Sequence, residues 1–331
     1  MFILIDGSSV LSTSFYGNIP KEYLRCKTDA EYDAILPRIL QTKDGLYTNA
    51  IFGFCKILDK IEKEFHPEYL AVAWDLNRNT FRRKMYPEYK AQRKPTRPEL
   101  SQQFGHMQKF LQYVGIPSLA TEGIEADDII GSLCKKYGDH EIVILTKDQD
   151  QLQLITDNVT VWLNTSKSDE IASDCGIAQK DIPPHLHNTF PFGPKEFEAY
   201  YGFKPIQMID FKGLSGDASD NIPGMPGVGE KSAIGLLKEF GSIEELVNFV
   251  SSADKKALDD KKAKMKTAGF ARIPFKAIQE DVAGDNIGLL SKQLATIKTD
   301  CEVPELEQLR FNPDKEKQKK MYQRMEFKSL L

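Results

Sequence analysis

The chain has 331 residues, 41% of them hydrophobic and 28% charged, with a formal net charge of −4. This excludes collagen-like, low-complexity and largely disordered chains, and an acidic whole excludes a basic nucleic-acid coat, so any contact with a polyanion must come from local charge. The length suits about two domains, or one large α/β body with an appendage, whose core needs no disulfide or metal staple.

The first predicted element is the apolar run Phe2 to Ile5, closed by Asp6. Four apolar residues are too few for a signal-peptide core or a membrane span. Tyr69 to Trp74 and Glu141 to Thr146 read as two further buried strands, and Val159 to Leu163 as a fourth. Ahead of the third strand, Ile130, Leu133, Cys134 and Tyr137 recur at helical spacing. Strand runs alternating with helical patterns predict an α/β domain with a parallel sheet. Residues 164–195, rich in Ser, Asp, Pro and His, show no periodicity and read as a long connection. A helical region follows from about Phe197 to Leu290, interrupted by the glycine and proline cluster from Pro223 to Gly229. The charged end, from Ser291, is expected to be mostly helical and to pack back on the body. Five scattered cysteines without a Cys-x-x-Cys pair read as reduced thiols. The expectation is a soluble cytoplasmic protein that engages no membrane.

The acids fall where a parallel sheet would gather them. Asp6 follows the first strand, Asp75 the second, and Asp148 and Asp150 the third. Parallel strands end on one edge, and ligands bind in the crevice outside their carboxyl ends. An Asp after one strand is often only the start of a turn; three together make that account poor. Glu125, Asp127 and Asp128 open the following helix, where first-turn acids also complement the helix dipole. Asp217 and Asp220 lie in a Gly-Asp-Ala-Ser-Asp-Asn stretch that would also suit an Asx-turn. If all nine converge they cannot stay ionised together without cations. An all-oxygen set selects Mg²⁺ or Mn²⁺ over zinc. Two such ions roughly 3.5–4 Å apart suit phosphodiester displacement.

Directly after Asp75 comes a basic stripe: Arg78, Arg82, Arg83, Lys84, Lys90, Arg93, Lys94 and Arg97 against the single acid Glu88. Phe81, Tyr86 and Tyr89 are interleaved, offering faces to unpaired bases. A solvated flexible segment would also carry such a run, but its place beside the acids favours phosphate binding. The Pro223–Lys231 stretch fails as a Walker A motif because Glu230 separates Gly229 from Lys231. It reads as a tight turn feeding a helix start at Lys231 and Ser232, where backbone N–H groups can hold a phosphate, or as an ordinary helix corner.

These stretches resemble the flap endonuclease or 5′-nuclease superfamily, most closely the N-terminal 5′→3′ exonuclease domain of bacterial DNA polymerase I and its stand-alone relatives. The matching segments are FILIDGSS, AVAWD with FRRKMYPEYKAQR, GIEADDIIG, TKDQDQLQL and GLSGDASDNIPGMPGVGEKSA, with LLSKQLATIKTD and MEFKSLL after them. The resemblance implies a PIN-like fold: a parallel sheet flanked by helices, with a helical arch and a helix-three-turn-helix. On that basis residues 1–196 form the nuclease domain with the arch at about 78–110. Residues 197–290 form the DNA-binding region and 291–331 a helical tail. Asp6, Asp75, Glu125 and Asp127 resemble the first metal cluster; Asp128, Asp148, Asp150, Asp217 and Asp220 resemble the second. Lys90 and Arg93 resemble the arch residues that reach the scissile phosphate. Arg82, Arg83, Lys84 and Tyr89, with Gly227, Gly229, Lys231 and Ser232, are the further expected DNA contacts, and the glycine turn implies a K⁺ site. The implied activity is a metal-dependent 5′→3′ exonuclease and flap endonuclease acting on branched or 5′-flap DNA and on RNA-primed DNA. A monomer is expected, with a DNA polymerase as a partner. A PIN-type ribonuclease and a non-catalytic binder of branched DNA are the rival readings.

Overall fold

A computed structural model describes residues 1–270 and 272–331. Its centre is a sheet that, among the described residues, has six strands in the order β3-β2-β1-β4-β5-β6. These are β1 Phe2–Asp6, β2 Tyr69–Ala73, β3 Ser118–Leu119, β4 Ile142–Thr146, β5 Val159–Asn164 and β6 Thr189–Phe192. The first five run parallel, and β6 pairs antiparallel with β5. The chain builds outward from β1 to β2 and β3, then returns to β4 on the other side. The order therefore reverses between β1 and β4, the place where open α/β sheets leave a crevice at the strands' carboxyl ends. In register Ile5 lies opposite Leu145, and Asp6 opposite Ala73.

The central strands read as continuous apolar runs because both faces are covered. Alternation sends Phe2 and Leu4 to one face, with Ile130, Leu133 and the helices between residues 194 and 283. Ile3 and Ile5 go to the other, against Phe15, Phe54, Phe110 and Tyr322. The Gly7–Gly17 helix starts directly under a ring: a Cβ on Gly7 would meet Trp74 at 2.7 Å. Glycine is what allows β1 to turn into its helix beside Trp74. The tail packs on the body as expected, through Phe311 N–H to the Glu68 carbonyl (2.9 Å) and Tyr322 stacked on Phe110.

Three expectations need correction. The stretch 164–195 is not a bare connection: it holds the Ser168–Asp174 helix and β6. Pro191 hid that strand, since a residue without an N–H is confined to sheet edges, and an edge is where β6 sits. The arch does not extend to 110. The Pro98–Val114 helix buries Leu100, Met107, Phe110 and Leu111 in the core, so the segment free to span the site ends by residue 97. The boundary at 290/291 falls inside the Ile287–Ala295 helix, and residues 296–314 carry only the Leu306–Leu309 3₁₀ turn before the Lys315–Arg324 helix.

Candidate active site

Asp6 ends β1 and caps the helix behind it, its Oδ1 accepting from Ser9 N–H at 2.9 Å. Its Oδ2 accepts from Thr146 Oγ1 at 2.9 Å and Gln151 Nε2 at 3.2 Å. Asp75, two residues past β2, is exposed and accepts from Ala126 N–H at 2.9 Å, so the second strand's acid anchors the Ala126–Lys136 helix. Asp127 projects from that helix to Gln151 Nε2 at 2.5 Å. Asp148 follows β4 and accepts from Asp150 N–H at 2.8 Å.

Burial, then Asp75 and Asp148, pushes the Asp6 carboxyl up to about 7. Burial, Asp148 and Asp6 hold Asp127 well above the usual carboxylate range, against the pull of Lys90. Burial and Asp220 also raise Asp148, although Lys212, Lys90 and Arg93 oppose them. Three acids held above their ordinary values, Asp6, Asp127 and Asp148, converge with Asp75 on a cleft of about 680 Å³. Among the described residues no three His, Cys, Asp or Glu side chains form a closed metal cage. The donor set still fits Mg²⁺ or Mn²⁺. Magnesium takes oxygen ligands, usually one or two carboxylates, and keeps several waters, and crowded acids gain most from a dication. Gln151, which bridges two of them, was not singled out in the sequence because an amide carries no charge signal.

The other acids have partners from the chain itself. Lys212 contacts Asp150 and sits 2.6 Å from Asp217. Burial alone would raise Asp217; Lys212 and two hydrogen bonds from Ser219 hold it at about 2 instead. Asp220 pairs with Arg93 at 2.5 Å and Lys90 at 3.5 Å. Glu125 accepts from Thr80 Oγ1 at 2.9 Å and Lys90 Nζ at 2.8 Å. Burial would raise it, but Lys90 and Arg82 bring it below its ordinary value. Lys212 was also missed: it lies five residues before Asp217 in a helix, and only folding brings Asp150 to it.

Asp128 departs from the expected second metal set. It is 0% exposed and locked to Arg82 through two bonds of 2.7 and 2.9 Å. Arg82 is therefore corrected too: a guanidinium 2% exposed cannot meet DNA. Tyr89 is buried with its hydroxyl 3.1 Å from Asp220, so its ring offers no face to a base. Lys90 has φ +53°, a strained left-handed conformation held by its N–H to the Asp220 carbonyl (2.9 Å). Burial would lower its ammonium, but Tyr89, Glu125 and Asp220 keep it well above its ordinary value. A second cleft of about 520 Å³, lined by Arg83 and Lys94, meets the first at Ser8, Asp75, Lys90 and Arg93. Lys84 is exposed.

Between the Met208–Ser215 and Glu230–Phe240 helices the chain makes a tight hairpin. Gly216 (φ +75°) and Gly224 (φ +71°) press together, and a Cβ on Gly224 would lie 2.3 Å from Gly216 N. Gly227 also takes positive φ (+75°), and Gly229 caps the second helix, so its first N–H groups lack helical partners. Lys231 is exposed. The Ser232 hydroxyl donates to the Arg272 carbonyl at 2.7 Å, so that residue presents its backbone N–H rather than its side chain.

Acids crowded together beside a basic segment suit chemistry on a phosphodiester, and comparison with known proteins narrows the class. Residues 1–180 match the 5′-3′ exonuclease N-terminal resolvase-like domain, and residues 203–317 the 5′-3′ exonuclease C-terminal SAM fold. The chain belongs to the 5′-3′ exonuclease family. It is 34% identical over 334 residues to DNA polymerase I of Bacillus caldotenax, matching 99% of this chain and 32% of that protein. It spans about a third of the length of such relatives. A structure of T5 5′-exonuclease with bound divalent zinc shares the fold with TM-score 0.53 and 19% identity, over 89% of this chain and 98% of that one. The catalytic core of Rad2 in complex with a DNA substrate gives TM-score 0.53 at 14% identity, over 98% and 87%.

Proposed function

We propose that this protein is a structure-specific 5′ nuclease that hydrolyses phosphodiesters at branched or 5′-flap DNA and removes RNA primers from DNA during replication and repair. The observation that carries the reading is the convergence of Asp6, Asp75, Asp127 and Asp148 directly beside Lys90 and Arg93.

These four acids and Glu125 would hold two Mg²⁺ or Mn²⁺ ions. When bound, such ions activate water and stabilise a leaving oxygen. The chain's own part is to bind and orient. Arg93, whose side chain is 45% exposed, and Lys90 stand at the mouth where both clefts meet and would take the scissile phosphate. To do so they exchange Asp220 and Glu125 for phosphate oxygens, an ion-pair swap that carries the basic segment with it. Gly227, Gly229 and Lys231 would hold a duplex phosphate at the start of the Glu230–Phe240 helix, with K⁺ on the carbonyls of the turn. Cleavage near the junction leaves a 5′-phosphate and a 3′-hydroxyl. A cytoplasmic monomer acting beside a DNA polymerase fits the free thiols of all five cysteines and the relatives' polymerase fusion; among the described residues no helix is long and apolar enough to cross a membrane.

A 5′-labelled flap junction incubated with Mg²⁺ or EDTA, beside plain duplex, single strand and RNA–DNA hybrid, tests this. Mg²⁺-dependent cutting near the flap base is expected. Cutting confined to single-stranded RNA overturns it in favour of a ribonuclease, and tight junction binding without cutting in favour of a passive binder.

A further inference from the structure

Asp128 leaves no lone pair for a metal ion. Its Oδ1 accepts from Arg82 Nη2 (2.7 Å) and Lys298 N–H (2.9 Å), and its Oδ2 from Arg82 Nη1 (2.9 Å) and Glu125 N–H (3.3 Å). A carboxylate has about four acceptor sites, and all four are filled by donors of the protein. Arg82 is equally committed: besides Asp128 it donates from Nε to the Leu294 carbonyl (2.9 Å) and from Nη2 to the Thr296 carbonyl (2.7 Å), with Glu125 3.7 Å away.

One buried pair thus joins three parts of the molecule: the root of the basic segment, the start of the helix that carries Glu125 and Asp127, and the end of the Ile287–Ala295 helix. That last helix also holds the glycine hairpin, because Gly224 N–H donates to Ser291 Oγ at 3.0 Å. A second tie reaches the same turn, Gln153 donating to the Ala295 carbonyl and the Asp150 carbonyl and accepting from Ile297 N–H. Bidentate arginine–carboxylate pairs fix geometry as well as energy.

We propose that Arg82 and Asp128 are a positioning pair that sets the hairpin and the basic segment in register with the carboxylates, and that Asp128 is not a metal ligand. This rests on the nuclease reading. A duplex phosphate seated on the hairpin is then a fixed distance from the acids, because the support helix cannot slide against the Ala126–Lys136 helix while the pair holds. Proximity of this kind acts on the chemical step more than on substrate affinity.

The test uses the full chain with Asp128→Asn, Arg82→Lys and the double variant, and Asp6→Asn as a ligand control. Mn²⁺ binding without DNA is followed by electron paramagnetic resonance, flap affinity in Ca²⁺, and single-turnover cleavage in Mg²⁺. Asp128→Asn and Arg82→Lys should bind as many Mn²⁺ as the wild type and bind the flap within about twofold, while the cleavage step slows about 10–100-fold, the range for residues behind a ligand. The double variant should be no slower than the worse single, because the pair acts as one unit. Loss of an Mn²⁺ in Asp128→Asn but not in Arg82→Lys makes Asp128 a ligand and overturns the proposal, as do multiplicative losses in the double variant. Where a single variant does not fold, Arg82→Met with Asp128→Leu, which replaces a buried pair by apolar side chains, takes its place: unchanged Mn²⁺ with slowed cleavage supports the pair, and full-rate cleavage overturns it. A wild type that does not cut removes the nuclease reading instead, and the Mn²⁺ count still decides what Asp128 binds.

Discussion

Two groups of carboxylates lie in and behind one cleft, and they are in opposite states. Asp6 is buried, Asp127 and Asp148 are half-buried beside it, and all three are held toward the neutral form. Asp128, Asp150, Asp217 and Asp220 each have a cationic partner among Arg82, Lys212, Lys90 and Arg93. The same residue type serves both groups, so the difference is made by the neighbours alone. The first group has electrostatic need of a cation from solution; the second has been neutralised by the chain.

The contrast can be broken at its strongest point first. Asp127→Asn should lower cleavage by more than about 100-fold, beyond what an outer partner costs, and should weaken Mn²⁺ binding; a variant that cuts within tenfold of the wild type would dissolve the first group as a metal site. On the other side, Lys212→Met leaves the buried Asp150 and the half-buried Asp217 without their cation. It should cost about 3–5 kcal/mol in urea unfolding, whereas Asp127→Asn in the metal-free protein should stabilise by relieving repulsion.

Acidity sharpens the comparison because Asp6 in the first group and Asp217 in the second shift in opposite directions. The Asp6 carboxyl is raised to about 7 in the folded state, so its contribution is fully present below its unfolded value and is lost as pH rises through 7. The metal-free protein should therefore melt lower at pH 8 than at pH 6, and Mg²⁺ or Asp6→Asn should flatten that slope. The Asp217 carboxyl is lowered to about 2, so its contribution is present above its unfolded value and is lost as pH falls from about 4 toward 2. Lys212→Met should remove that acid limb and leave the alkaline one. The smallest expected effect is in Asp220→Asn, which releases Arg93 and leaves Lys90 to Glu125. Flap binding in Ca²⁺ should tighten about threefold, the equivalent of roughly 0.6 kcal/mol for a partly exposed pair, and weaker binding would mean that Asp220 presents the two bases rather than restraining them.

Much of this was legible in the chain. Fully buried parallel strands require continuous apolar runs, so β1, β2, β4 and β5 stand out, and an acid placed after each of three strands must reach the same sheet edge. The glycines of the hairpin are equally visible, since backbone contact at 2.3 Å admits no side chain. The edge strand with Pro191, the two-residue β3 and the early end of the basic segment were not legible. Short strands carry too little periodicity, and Pro98–Val114 mixes glutamines, a histidine and a lysine with its apolar residues, so its buried face is evident only against the sheet.

What the sequence by itself determined is therefore the fold's centre and the gathering of acids, because both follow from spacing along the chain and from the direction of parallel strands. Only the tertiary structure decided which acids face a cation from solution and which face an arginine or lysine. Arg82 and Asp128 are 46 residues apart, and Gln92 of the basic segment meets the Ala218 carbonyl across 126. Coulomb energy depends on distance through space and on burial rather than on order in sequence, so the charge state of each carboxylate was settled only when the chain closed around it.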